Sequence, residues 1–431
     1  MAWIHRYRVR NYIKSSMWIV PLFFMFLALI FAPILRKVDT HFKWTFFSFG
    51  PEGARAIAEG LAASTFSFTV FVFSMLLVAV QIASAQLSPR IIATTVLKDR
   101  PAKLALGIFI FSYIYSLAVL GRIEESVPQF SIMITIISSL VSIGVFLYLI
   151  DYVGKALRPI SIAERVGAEG SKVVERVYPR LITEATDTQS ETGDFKFEKP
   201  TRVIHHIGRS NVILALDVHG LTAAAQRAES LILLVPQVGD FVARGEPLFL
   251  VLHGTKTIDE RVLHNSIALG PERTLEQDPA FAFRILVDIA AKALSPAIND
   301  PTTAVLAVDQ IHRLLRQVGM RHLGDGMIRD NIGQLRLIIR TPNWEDYLSL
   351  AISEIRLYGA GSLQVMRRLR AMIENLIEFL PQKRIAPLHK ELNLLHRFAE
   401  REFADPEDQA RAEIADYQGL GGSRLDYLKR A

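Results

Sequence analysis

Four runs without a single charged residue, Met17–Leu35, Gly60–Ala83, Leu104–Gly121 and Ser131–Ile150, crowd the first third of this 431-residue chain, and no comparable run follows. Each is close to the ~20 apolar residues that an α-helix needs to cross the hydrocarbon of a bilayer. Backbone polar groups in lipid find no water, so a chain segment there closes its own hydrogen bonds, and the runs read as four spanning helices. The hydropathy breaks near Asp151, and the rest of the chain reads as water-facing. Hydrophobic residues make up 50% of the sequence and charged residues 21%, greasier than a soluble protein but too polar for a chain lying wholly in lipid.

The expected fold class is therefore membrane α-helical, with four transmembrane helices, followed by an α+β cytoplasmic domain that combines a small β barrel or sandwich with a helical C-terminal half. The sequence divides into a transmembrane domain at 1–155, a juxtamembrane helix and polar linker at 156–200, a β-rich module at 201–270 and a mainly helical domain at 271–431.

Lysine and arginine are unevenly spread around the runs. Arg6, Arg8, Arg10 and Lys14 precede the first, Arg90, Lys98, Arg100 and Lys103 separate the second from the third, and Lys155, Arg158, Arg165 and Lys172 follow the fourth. The other side carries only Arg36, Lys37, Lys43, Arg55 and Arg122. The positive-inside rule then places both termini and the large polar region in the cytoplasm, as expected of a multi-pass membrane protein. No small-x-small cleavage site follows Leu35, so Met17–Leu35 reads as a retained helix rather than a signal peptide. The formal net charge is +6, but the basic residues are scattered and many flank the runs, which fits anionic lipid; nucleic acid is not an expected partner.

The second run is the informative one. Pro51 starts it as a first-turn proline, and Ala56, Gly60 and Ser64 repeat at four-residue spacing, which lets another helix backbone approach closely. Ser64, Ser67, Ser74 and Gln81 continue along that face and are the candidate pore-lining residues. Ser112 and Ser116 in the third run, and Thr135, Ser138 and Ser142 in the fourth, form shorter stripes. Hydroxyls in a membrane helix pack against other helices or bond their own backbone one turn back; lining a water-filled path in a homo-oligomer is the functional alternative. Charges are absent from the run interiors, which argues against a proton-coupled transporter or a voltage sensor.

Beyond residue 155, Lys155–Pro179 reads as a helix continuing from the membrane with a kink at Pro159. Glu184–Pro200 reads as a linker. Val212–Leu216, Leu231–Val235, Pro247–Leu252 and Gln334–Arg340 read as strands. Val238-Gly239-Asp240-Phe241-Val242-Ala243-Arg244-Gly245-Glu246-Pro247-Leu248 supplies glycine turns, and it resembles the turn-strand-turn of biotinyl/lipoyl-type sandwich domains. The modified lysine of those domains has no counterpart in Ala215–Ser230, so a carrier function does not transfer. Helices are expected over Phe281–Leu294, Thr302–Val318, Trp344–Glu354, Ser362–Phe379 and Arg384–Glu402. Between the first two of these, Ser295, Asn299 and Asp300 are candidate ligand-loop residues. Asp300 before Pro301 is a helix start, which either makes a tight connection or leaves free N–H groups for an anion.

No cysteine is present, which removes disulfides, thiolate metal sites and thiol nucleophiles. Of the 11 histidines, His205 and His206 are adjacent, so on a strand they face opposite ways. Asp309 and His312 are one helical turn apart, a spacing read as a single hydrogen bond. No phosphate-binding glycine loop, nucleophile elbow or zinc-protease helix is present. No catalytic residue, metal ligand or cofactor is assigned, and an enzyme is not expected.

Three phrases together point to a family: Gln81-Ile82-Ala83-Ser84-Ala85-Gln86-Leu87-Ser88-Pro89-Arg90, the Gly-Asp-Phe-Val phrase at 239–242, and Ala293-Leu294-Ser295-Pro296-Ala297-Ile298-Asn299-Asp300-Pro301. In order and spacing the chain resembles the bacterial predicted membrane proteins grouped as domain of unknown function 2254. The resemblance implies a multi-pass protein of a bacterial inner membrane with four spanning helices and a cytoplasmic domain, and brings no reaction with it. Ser88, Pro89 and Arg90 stand as interface or coupling residues, with Arg90 placed for a lipid phosphate or for a carboxylate of the soluble region.

The combined expectation is a homo-oligomeric, channel-like membrane protein with an uncharged, hydroxyl-lined pore, partnered by the lipid bilayer and by an unidentified ion or small ligand. The alternatives are a membrane-anchored sensor or scaffold whose cytoplasmic domain binds a ligand or partner, and a membrane enzyme acting on lipid near Arg90.

Overall fold

The computed structural model describes residues 3–42, 46–86, 100–123, 127–156, 158–182, 199–254, 256–324 and 326–421. They form two compact units, one running from Asn11 through the apolar helices to Ser161, the other from Ile162 onward with the N-terminal residues up to Arg10.

After α1 (Trp3–Ser15), the first unit carries α2 (Ile19–Phe42), α3 (Pro51–Gln86), α4 (Arg100–Leu120) and α5 (Gln129–Ala156), four helices long and apolar enough to cross a membrane. Small residues set how closely they approach. A Cβ built on Gly107 of α4 would fall 2.6 Å from the Phe24 ring of α2, so only glycine admits that ring. Ala28, Ala32, Ala54 and Ala58 pack with Tyr115, Val119 and Ile132 in one buried cluster. A second cluster joins Val72, Ala105, Leu106, Phe109, Leu149 and Val153, and there Phe68 of α3 stacks on Phe146 at 4.6 Å.

One end of this unit is closed by polar side chains. Asp39 caps the start of α5, accepting the Phe130 N–H at 2.7 Å, the Ser131 N–H and the Ser131 hydroxyl. Gln129 accepts from the Phe47 N–H at 2.8 Å and donates to the Phe47 carbonyl at 3.1 Å. Arg55 donates to the Ile123 carbonyl at 2.8 Å. These bonds satisfy helix-end and loop groups that would otherwise be orphaned.

In the second unit, β1 (Arg202–His205), β5 (Pro247–Leu252), β3 (Leu231–Leu234), β8 (Leu335–Ile339) and β7 (Met327–Arg329) form a five-stranded sheet in that order. Its pairs are antiparallel except β3 with β8, where Leu233 lies opposite Ile338 in parallel register. A second sheet of three antiparallel strands runs β4 (Phe241–Val242), β2 (Asn211–Leu216), β6 (Ile267–Gly270). Neither sheet closes, which corrects the expectation of a barrel: each ends on two edge strands, and β7 and β8 arrive from the part of the sequence expected to be mainly helical. The sheets share one core, in which Ile213, Leu216, Val242 and Ile267 pack with Ile204, Ile232, Leu234, Phe249, Val251 and Leu337. Short helices α7 (Val218–Arg227) and α8 (Glu260–Asn265) are each started by an aspartate, Asp217 and Asp259, that accepts a backbone N–H of the first turn.

The helical half contains α6 (Pro159–Val177), α9 (Pro279–Ala293), α10 (Pro301–Gly319), α11 (Trp344–Tyr358), α12 (Leu363–Phe379), α13 (Ile385–Glu402) and α14 (Pro406–Ala412). Proline at the head of α6 corrects a second expectation: Pro159 starts a new helix instead of kinking a continuous one, because proline lacks the N–H that a helix interior requires and the first turn does not. α9 is apolar on nearly all sides and is enclosed accordingly, with Phe281, Phe283, Ile285, Leu286 and Val287 all buried.

Two glycines bring α6 against its neighbours. A Cβ on Gly170 would sit 2.6 Å from the Cβ of the fully buried Ala282, and one on Gly167 would sit 2.6 Å from Gln310 Oε1. Gly170→Ala is expected to lower stability by about 1–3 kcal/mol through overpacking, more than the ~1 kcal/mol that alanine gains over glycine in a helix. A denaturation midpoint equal to that of the unaltered protein would show that α6 has room to shift.

Candidate functional site

The site begins with the length of α3. Its 36 residues rise about 54 Å at 1.5 Å each, well beyond the ~30 Å of bilayer hydrocarbon. Its two faces differ in what they meet. Ala54, Ala58, Ala62, Thr65, Val72 and Ala79 are buried within the unit. Ala56, Gly60, Ser64, Ser67, Ser74 and Gln81 lie on the exposed side, and a Cβ built on Gly60 would meet nothing within 4 Å. Only 17% of the apolar window of α3 is buried, against 50% for α4, so α3 presents most of its surface outward.

The exposed hydroxyls are satisfied within their own helix. Ser64 donates to the Gly60 carbonyl at 2.8 Å, Ser67 to Ala63 at 2.9 Å and Ser74 to Val70 at 3.1 Å. Each bond reaches one turn back, so no polar group of these serines needs a partner from another helix. A hydroxyl held this way keeps acceptor lone pairs that face outward.

Ser116, Thr135 and Ser142 of α4 and α5 likewise donate to the Ser112, Ser131 and Ser138 carbonyls one turn back, and these hydroxyls differ from those of the α3 stripe in burial. Ser112, Ser116, Thr135, Ser139 and Ser142 are all buried. Ser112 lies 2.9 Å from the Ser142 hydroxyl and donates to the Ser138 carbonyl at 3.1 Å, joining the two helices by hydrogen bonds. These stripes are therefore internal packing, and the α3 stripe is the one left on the outside.

The structure brings Ser295, Asn299 and Asp300 into one turn between α9 and α10, with the side chains of Ser295 and Asp300 spent on local bonds. Ser295 donates to the Lys292 carbonyl at 2.7 Å. Asp300 accepts the Thr303 N–H at 3.0 Å and the Thr303 hydroxyl at 2.5 Å, so the start of α10 is already capped. Asn299 has φ +50°, a left-handed conformation that asparagine tolerates better than most residues, and this accounts for asparagine at that position. Pro296, Ala297, Ile298 and Asn299 are exposed at the tip. Ser88, Pro89 and Arg90 lie outside the described residues.

His205 is exposed and the adjacent His206 buried, with His206 Nε2 2.8 Å from the Arg209 carbonyl. Asp309 and His312 do not bond to each other, which corrects the single hydrogen bond read from their spacing: both turn to α12. Asp309 pairs with Arg368 at 2.6 Å, and His312 Nε2 lies 2.9 Å from Asn375 Oδ1. Arg368 donates to His312 Nδ1 at 3.2 Å, which requires the neutral tautomer with its proton on Nε2. Burial, and then the charge of Arg368, push His312 down to about 4. Sequence reading missed Arg368, because the neighbouring Arg367, Arg368 and Arg370 read as a solvated face. Among the described residues no group of three His, Asp or Glu side chains is placed to hold a metal ion.

A family model described as predicted membrane protein, DUF2254, matches residues 14–375. The chain belongs to the DUF2254 family. This DUF2254 protein is 28% identical to uncharacterized protein Mb1321c of Mycobacterium bovis, over 95% of its own length and 83% of the relative's. The same figures hold for uncharacterized protein Rv1290c of Mycobacterium tuberculosis. No solved structure matches it. The four apolar helices and the mixed helix and sheet region that follows are the architecture of a predicted membrane protein.

Proposed function

We propose that this DUF2254 protein is a homo-oligomeric, channel-like protein of the bacterial inner membrane, with both termini cytoplasmic. Copies of α3 turn the Gly60, Ser64, Ser67, Ser74, Gln81 face toward a common axis. The observation that supports this reading is the division of serines: Ser112, Ser116, Ser139 and Ser142 of α4 and α5 are buried in the bundle, while Ser64, Ser67 and Ser74 of α3 lie on an outer face. Lipid gains nothing from a hydroxyl stripe, whereas a neighbouring copy gains close approach at Ala56, Gly60 and Ser64 and a wetted path gains dipoles at Ser67, Ser74 and Gln81. No charge occurs from Gly60 to Ala83, so selection in such a path rests on size and dipoles.

Ser67→Leu and Ser74→Leu are the test. Both positions are exposed, so neither change fills the bundle core, and ion flux through the reconstituted protein is expected to fall about 10-fold or more. Electron microscopy of the detergent-purified protein is expected to show a ring with α3 nearest the axis. Unchanged flux in both variants, or a monomer, would remove the pore. The function would then lie in the soluble region as a sensor or scaffold.

A further inference from the structure

A groove of about 500 Å³ lies in the second unit along one face of α10, lined by Asp309, His312, Arg313, Arg316, Gln317 and Arg321, with Ser171, Leu181 and Phe379 at its sides. The spacing of the α10 positions, three or four residues apart, places them on one stripe of the helix. The balance of charge in it is uneven. Arg316 is held at 2.6 Å by the neutral Asn375 Oδ1, and its guanidinium lies 3.5 Å from the centroid of the Phe379 ring. Arg321 donates to two backbone carbonyls, Tyr178 at 3.2 Å and Pro179 at 3.1 Å, and its buried Nε–H has no partner. Arg313 is exposed at the rim.

Among the described residues, none of these three arginines pairs with a carboxylate. Two carboxylates stand nearby: Asp309 pairs with Arg368, and Glu175 accepts the Gln317 amide at the groove wall at 3.1 Å. His312 is neutral beside them, lowered first by burial and then by the charges of Arg368 and Arg316.

We infer that this groove binds a small molecule through a phosphate or diphosphate group, clamped by Arg313, Arg316 and Arg321. Guanidinium groups meet phosphate oxygens in paired, charge-assisted hydrogen bonds, and the Asn375 and Phe379 contacts hold Arg316 in place before any ligand arrives. The volume falls in the range of small-molecule sites, ~300–1,000 Å³. The inference is independent of the pore reading, since it concerns only residues of the second unit.

Inorganic pyrophosphate, titrated calorimetrically into the full-length protein in non-ionic detergent, is the first probe. Saturable binding that weakens with added salt is expected. Arg313→Glu and Arg316→Gln are expected to weaken it about 10-fold or more, and Arg329→Glu, on β7 and away from the groove, to leave it unchanged. Arg313 is exposed and makes no hydrogen bond or ion pair among the described residues, so its variant stays informative even if Arg316→Gln folds poorly. A short-chain phosphatidic acid forms the second arm. Binding of pyrophosphate assigns the group to a soluble compound, and binding of the lipid alone, lost in the same variants, assigns it to a headgroup. No saturable binding of either probe, or binding that neither variant alters, would overturn the inference.

Discussion

Trp344→Ala is expected to lower the melting temperature of the second unit by roughly 10 °C, corresponding to a loss of about 3–5 kcal/mol. Trp344 is 1% exposed and opens α11, where Asn343 and Asp346 form a reciprocal cap. Its indole N–H donates to the Arg384 carbonyl at 3.0 Å, tying α11 to the turn before α13. A Cβ on Gly319 at the end of α10 would stand 3.2 Å from the far edge of the indole, so α10 packs on the ring with no spare volume. Truncation leaves a cavity among three helices and one carbonyl without its donor. Trp344→Phe keeps most of the ring and loses the N–H bond, and should cost about 1–3 kcal/mol. The two variants, followed by thermal denaturation of the detergent-purified protein, separate volume from hydrogen bonding. A loss under about 1 kcal/mol for alanine would mean that the site collapses around the gap.

The four apolar helices were legible because a charge-free run of ~20 residues has few other uses in a chain. Strands β2, β3, β5 and β8 were legible as short apolar runs between turn residues, and Gly239 and Gly245 do take the positive φ, +93° and +89°, that their turns require. What stayed hidden was pairing. β8 lies about a hundred residues beyond β3 and runs parallel to it, and no local pattern announces such a partner. Strands β1, β4, β6 and β7 have two to four residues each, too few to establish a period of two. α7 was hidden in a stretch bounded by strands, although Asp217 ahead of it is a usable start signal.

The same difficulty hid the polar interior of the helical half. Arg367, Arg368 and Arg370 are all buried on α12. Arg367 donates to the Ile414 carbonyl at 2.9 Å and the Gly421 carbonyl at 2.7 Å, Arg368 pairs with Asp309, and Arg370 pairs with Glu413. Asp416, also buried, accepts the backbone N–H groups of Gln418, Gly419 and Gly421. The stretch at 414–421 is thus held on α12 by Gln364 and Arg367. The charge pattern alone favours solvent, and only the fold supplies the carbonyls and carboxylates that make burial affordable.

Asp278→Asn is expected to stabilise the protein above pH 6 and to remove a pH dependence that the unaltered protein shows between about pH 4 and 6. Asp278 is 5% exposed and caps α9, accepting the Phe281 N–H on Oδ1 at 3.1 Å, while Oδ2 is buried with no partner. Burial pushes the carboxyl up to about 6; Arg273 and the backbone N–H groups of Phe281 and Ala280 oppose this, and Asp240 adds to it. Tyr178 and Tyr347, whose hydroxyls lie 3.1 Å apart, are themselves raised by burial and by Asp278, so they remain neutral here. A carboxyl whose pKa is higher folded than unfolded binds its proton more tightly in the native state. Stability is then greatest below the ordinary carboxylate range, declines as pH rises toward 6, and is flat beyond it, at a total cost of about 3 kcal/mol. Asparagine keeps the Oδ1 acceptor for the cap and cannot ionise, so the variant should be more stable by about 1–3 kcal/mol at pH 7.5 and match the unaltered protein near pH 4. Equal stability of the two proteins at pH 7.5, or a gap that widens as the pH falls, would show that the carboxylate is compensated by its surroundings.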